Sequence, residues 1–106
     1  MMAEGTGGSL VIDVSRRVAK RNGVAVRLDA TEWRLLEVLA AAGGRSVTPE
    51  ELLGAAWGPG YVKDEAYLAV AVWRLRGKLE DDPTDPKVIQ SAPDGGYLLW
   101  EPSLVA

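Results

Sequence analysis

Two helix-start signals fix the middle of this 106-residue chain. In Asp29-Ala30-Thr31-Glu32 the first carboxylate can accept a free amide of the opening helical turn while Glu32 reaches back, a capping-box arrangement. Thr48-Pro49-Glu50-Glu51 places a hydroxyl cap before a proline whose missing N–H costs nothing at the first helical position, with acids in the first turn. Between them, Gly43-Gly44 allows the left-handed backbone that ends a helix. The signals therefore predict a first helix on which Trp33, Leu36, Leu39 and Ala40 recur at helical spacing. They predict a short second one through Leu52, Leu53, Ala56 and Trp57, followed by irregular backbone at Gly58-Pro59-Gly60.

A third helix is expected over residues 65–81, where Leu68, Val72, Leu75 and Leu79 fall on one narrow stripe at about 100° per residue. Its opposite face would present Tyr67, Val70, Trp73, Arg74, Gly77 and Lys78. That mixture is unusual for a face that meets only water, and suits a binding surface or a self-association surface alike. Ahead of the helices, Leu10-Val11-Ile12, Arg17-Val18-Ala19 and Val24 to Leu28 surround Asn22-Gly23, a type I′ turn signal, and predict a small antiparallel sheet. Behind them, Asp82-Pro83-Thr84-Asp85-Pro86 is a rigid acidic turn. Val88 to Ala92 and Tyr97 to Trp100 then read as a hairpin around Pro93-Asp94-Gly95-Gly96. Residues 1–9 are expected to be a disordered leader, 10–100 one domain, and 101–106 a frayed tail.

Composition narrows the function. With 47% apolar and 25% charged residues the chain can bury a core, and no apolar run approaches the roughly 20 residues of a bilayer span. No membrane association is expected, and a cytoplasmic location is. Cysteine and histidine are both absent, which removes disulfides, the usual zinc sites, thiol nucleophiles and imidazole bases. The carboxylate groups Glu50-Glu51, Asp64-Glu65 and Glu80-Asp81-Asp82 sit at helix ends and read as solvated or capping charge. No catalysis, cofactor or metal is expected. A net charge of −3 argues against strong non-specific DNA affinity. The cations are nevertheless clustered, one set at Arg16, Arg17, Lys20, Arg21 and Arg27 and another at Lys63, Arg74, Arg76 and Lys78.

Sheet, three helices and closing hairpin make a winged-helix order of elements, and several stretches sharpen it. Residues 28–36 (LDATEWRLL), 44–53 (GRSVTPEELL), Trp57-Gly58, 74–80 (RLRGKLE) and Gly96-Tyr97 resemble the OmpR/PhoB effector domain in that family's own order, over about residues 10–99. The implied fold is α+β: a winged helix-turn-helix with an N-terminal antiparallel sheet, three helices and a C-terminal β-hairpin wing. The resemblance implies a transcription-factor module whose third helix enters the major groove of double-stranded DNA. Its wing would touch the minor groove or backbone, and its loop 58–64 could contact RNA polymerase. In the family a phosphorylatable receiver domain usually precedes this module in a two-component system.

The same resemblance distributes roles. Arg74 falls at a position that approaches base edges. Lys63, Arg76 and Lys78 fall at backbone-contacting or buttressing positions, with an acid of the first or second helix as an alternative partner for Arg76. Trp57 would either meet a phosphate through its indole N–H or belong to the core. Ser91, Gly96 and Tyr97 belong to the wing. Trp73 draws no role from the resemblance; its own chemistry suits packing against sugar or a thymine methyl.

This chain also departs from the family. Ala71 and Trp73 stand where histidine and arginine are frequent, Ala69 where an acid is common, and Ala66 where a basic residue is common. Pro93 and Leu98 replace frequent arginines, and Asp94 adds a charge of the wrong sign. Weak or avidity-dependent DNA binding is therefore expected. The rival reading is a winged-helix module that has lost DNA binding and engages a protein, either a copy of itself as a homodimer or RNA polymerase, through the Val70/Trp73/Gly77 face.

Overall fold

The computed structural model describes residues 10–100; the expected leader and tail lie outside the described residues. Strands β1 (Leu10–Asp13), β2 (Val18–Arg21) and β3 (Val24–Ala25) form an antiparallel sheet in that order. Ile12 lies opposite Ala19, and both face the core. The turn between β2 and β3 has positive φ at both Asn22 (54°) and Gly23 (80°), the backbone a type I′ turn requires. The third strand is shorter than expected: pairing stops at Ala25, and Val26 retains one bond to the Ala19 carbonyl.

Helix α1 (Ala30–Ala41) starts on the expected capping box, with Asp29 accepting from the Glu32 N–H and Glu32 accepting from the Asp29 N–H, both at 2.8 Å. It stops where Gly43 and Gly44 take φ of 63° and 88°. Helix α2 (Pro49–Ala56) is capped by the Thr48 hydroxyl, which accepts from the Glu51 N–H. A single 3-10 turn (Pro59–Tyr61) stands within the expected irregular loop. Helix α3 (Glu65–Leu79) buries Leu68, Ala71, Val72, Leu75 and Leu79, so the expected stripe is core and Ala71 joins it. α1 packs on α2, α2 on α3, and a common core of Leu35, Leu36, Leu39, Leu52, Leu53, Leu68 and Leu75 lies between them.

The wing is a hairpin of β4 (Ile89–Ser91) and β5 (Tyr97–Leu99); relative to the sequence expectation β4 is one residue shorter at each end and β5 one residue shorter at its C-terminal end. Val47, just before α2, adds a partner that the sequence reading did not foresee. It exchanges two backbone bonds with Tyr97, at 2.8 and 3.1 Å. That approach needs Gly96, where a Cβ would overlap the Val47 carbonyl.

Glu80 corrects another expectation. It is 2% exposed, and its carboxylate accepts the N–H groups of Lys87, Val88 and Ile89. Far from being solvated charge, it stops α3 two residues before the expected end. Its own backbone is extended (ψ 144°), and its side chain satisfies the amides that open the wing.

Candidate nucleic-acid interface

α3 sorts the sequence-predicted residues into two groups. Tyr67, Val70, Trp73, Arg74 and Gly77 lie exposed on its outer face, with Trp73 the most open large apolar side chain at 72%. Lys63 is exposed just before the helix, and neither it nor Arg74 makes an ion pair among the described residues. Helix periodicity turns the α3 side chains outward, because the opposite stripe is anchored in the core.

Arg76 and Lys78 are committed to the protein itself. Arg76 donates through Nε to the Ile89 carbonyl and through Nη2 to the Ser91 hydroxyl, both at 3.0 Å, and its guanidinium stands 5.6 Å from the centre of the Tyr97 ring. The acid of the first or second helix offered as its partner is thus replaced by the wing. Lys78 Nζ lies 2.7 Å from Glu32 Oε1. Glu32 is 2% exposed, and its other carboxylate oxygen has no hydrogen-bond partner among the described residues. Such a charge is tolerated only when paired, so Lys78 neutralises a carboxylate already used to cap α1.

In the wing, Ser91 is exposed and receives Arg76, Tyr97 is half-buried beneath the same guanidinium, and Gly96 is buried against Val47. The turn is held by Asp94, which accepts from the Gly96 N–H at 2.9 Å and the Ser46 hydroxyl at 2.8 Å. These bonds, the Gly96 amide first, hold the Asp94 carboxyl below its ordinary value.

A cleft of about 250 Å³ opens between the start of α1 and the outer face of α3; its polar and aromatic lining is Asp29, Thr31, Glu32, Trp57, Tyr67 and Arg74, and Val70 and Ala71 complete it. Trp57 is half-buried, its ring centre 6.2 Å from that of Tyr67, which in turn lies 5.8 Å from Tyr61. Thr31 was not among the sequence candidates. Its signal was its place in the capping box, where a free hydroxyl sits beside the exposed amides of a helix start.

Two helices packed on each other, a third with an exposed outer face, and a hairpin clamped beside it define a winged helix-turn-helix domain. Residues 23–99 match the family model described as "Transcriptional regulatory protein, C terminal", and the chain belongs to that family. It is 40% identical over 89 residues to the transcriptional regulatory protein KdpE of Mycobacterium tuberculosis, covering 84% of this chain and 39% of that protein. The chain thus spans about two-fifths of the length of that relative. Among solved structures it resembles the Klebsiella pneumoniae RstA DNA-binding domain in complex with the RstA box, with TM-score 0.72, 33% identity, and coverage of 89% of this chain and 93% of that one. It also resembles the response regulator DrrB of Thermotoga maritima, an OmpR/PhoB homologue, with TM-score 0.73, 28% identity, and coverage of 90% and 43%.

Proposed function

We propose that this chain is the DNA-binding effector domain of a response-regulator-type transcriptional regulator acting in the cytoplasm. The observation that carries this reading is the exposed face of α3, where Arg74 has no ion-pair partner among the described residues and lines the Thr31–Trp57–Tyr67 cleft. With α3 in the major groove, Arg74 reads a guanine edge bidentately, for about 1–3 kcal/mol of discrimination. The Thr31 hydroxyl, the Trp57 indole N–H and the Tyr67 hydroxyl are donors suited to one backbone phosphate in the cleft, with Lys63 beside a second. Ser91 and Tyr97 bring the wing to the backbone. The RstA domain, a solved relative of the same fold, sits on its own DNA site, which favours this reading over a module that has lost DNA binding.

Affinity is modest in this reading, because two of the four cations in the α3 region serve the fold instead of the phosphates. Useful occupancy then comes from pairing two copies on adjacent half-sites. The loop 58–64, with Tyr61 42% exposed, is the surface available to RNA polymerase.

The test is selection from a mixed duplex pool at about 50 mM and about 200 mM salt, followed by sequencing. A short enriched half-site, whose preference Arg74→Ala abolishes without changing the fold, is the expected result. No retention at the lower salt refutes the proposal.

A further inference from the structure

Between Tyr67 and Arg74 the outer face of α3 carries a strip that is mostly hydrocarbon. Val70 is 49% exposed and Trp73 72%, and the small, exposed Ala69 lies beside them. A helical side chain leans back over the preceding turn, so the Trp73 indole lies over the turn that bears Ala69 and Val70. One turn further along, Gly77 has nothing within 4 Å of where a Cβ would stand. No side chain there lifts the helix off a groove floor.

Charge says which partner this surface suits. Arg74 adjoins the apolar pair and Lys63 stands before the same helix, while Arg76 and Lys78 are held by the wing and by Glu32. A cation at the edge of a hydrocarbon strip matches a polyanion that also displays apolar groups. In the major groove the base edges offer one such group, the C5-methyl of thymine; the other distinguishing features are donors and acceptors.

Resting on the DNA reading above, we infer that Val70 and Trp73 read thymine methyl groups beside the guanine held by Arg74. The half-site is then a thymine pair or run abutting a guanine, and its sequence preference depends on methyl burial more than on hydrogen bonds.

The experiment takes the half-site enriched from the random duplex pool and resynthesises it with deoxyuridine in place of thymidine, one position at a time. Deoxyuridine keeps every donor and acceptor and removes only the methyl. Wild-type protein is expected to lose about fourfold in affinity at each contacted methyl, the worth of one buried carbon. Trp73→Ala, at a position too exposed to endanger folding, should bind the thymidine site more weakly and lose its sensitivity at the methyl that Trp73 covers, while keeping that at the methyl of Val70.

An enriched site on which deoxyuridine changes nothing overturns the methyl inference and leaves DNA binding standing. So does a Trp73→Ala variant that keeps the wild-type sensitivity. If no duplex is enriched, the DNA reading fails and the inference with it. A concentration-dependent mass that Trp73→Glu abolishes would then assign the face to a second copy of the chain.

Discussion

The Val88 N–H lies within hydrogen-bond reach of both carboxylate oxygens of Glu80, at 3.1 and 3.0 Å. The same carboxylate takes the Lys87 and Ile89 amides at 2.7 and 2.9 Å. An acid just past the end of α3 thereby takes the place of a second strand along the edge of β4 that β5 leaves open. Glu80→Ala would strand three amides, two of them belonging to buried residues, and should cost about 3 kcal/mol or more, since each unsatisfied group costs about 1–3 kcal/mol. Urea denaturation checks this. A loss below about 1 kcal/mol would mean that water replaces the carboxylate and that Glu80 is dispensable.

Lys78 and Lys63 should separate cleanly in salt titrations. Lys78→Met leaves the buried Glu32 unpaired and should lower stability by about 1–3 kcal/mol, less than a fully buried pair because the Lys78 side chain is 37% exposed. It should leave the salt dependence of DNA binding nearly unchanged. Lys63→Ala should do the reverse, with stability intact and the slope of log affinity against log salt reduced by about one. Equal slope changes in the two variants would place Lys78 on a phosphate after all.

Two glycines give opposite predictions for the same substitution. Gly77 is exposed inside a helix with open space around it, so Gly77→Ala should stabilise the fold by about 1 kcal/mol. Gly96→Ala would drive a methyl into the Val47 carbonyl and should cost about 1–3 kcal/mol or displace β5 from Val47. Thermal melts of both variants, with amide exchange at Tyr97, would show it.

Acid should loosen the wing turn through Asp94. Its carboxyl is held below 3.8 by the Gly96 amide and the Ser46 hydroxyl. Because the folded value is the lower one, the stabilisation is fully present above the unfolded value and is lost as pH falls through the folded one. The Gly96 amide resonance should therefore be constant from about pH 5 to about pH 8 and move below about pH 4, with a midpoint under the ordinary carboxylate value. In Asp94→Asn that acid movement should vanish.

Local rules made most of the fold legible. The capping residues Asp29 and Thr48, the double glycine after α1 and the Asn22-Gly23 turn each act within a few residues, so their sequence signals carry the geometry directly. The leucine stripe of α3 was equally plain, since periodicity is a property of one helix. What stayed hidden were contacts across sequence distance. The approach of Val47 to Tyr97, the grip of Glu80 on the start of β4 and the pairing of Lys78 with Glu32 all depend on how helices and hairpin pack. Charge counting could not find them, because Glu80 and Asp81 look alike in sequence, yet one is buried and the other exposed. For the site, the exposure of the face bearing Val70, Trp73 and Arg74 was readable, whereas for Arg76 and Lys78 the sequence left phosphate contact and buttressing both open and did not reveal their partners Ile89, Ser91 and Glu32.

Arg76 in the last turn of α3 and Glu80 just past its end both hold β4. Helix and wing consequently behave as the jaws of a calliper locked at one gauge before any duplex arrives. In the DNA reading proposed above, a locked gauge would need no ordering on contact and would discriminate by groove spacing as well as by base identity. Stretches of DNA whose adjacent grooves are too wide or too narrow for that fixed span would be rejected at positions no side chain touches.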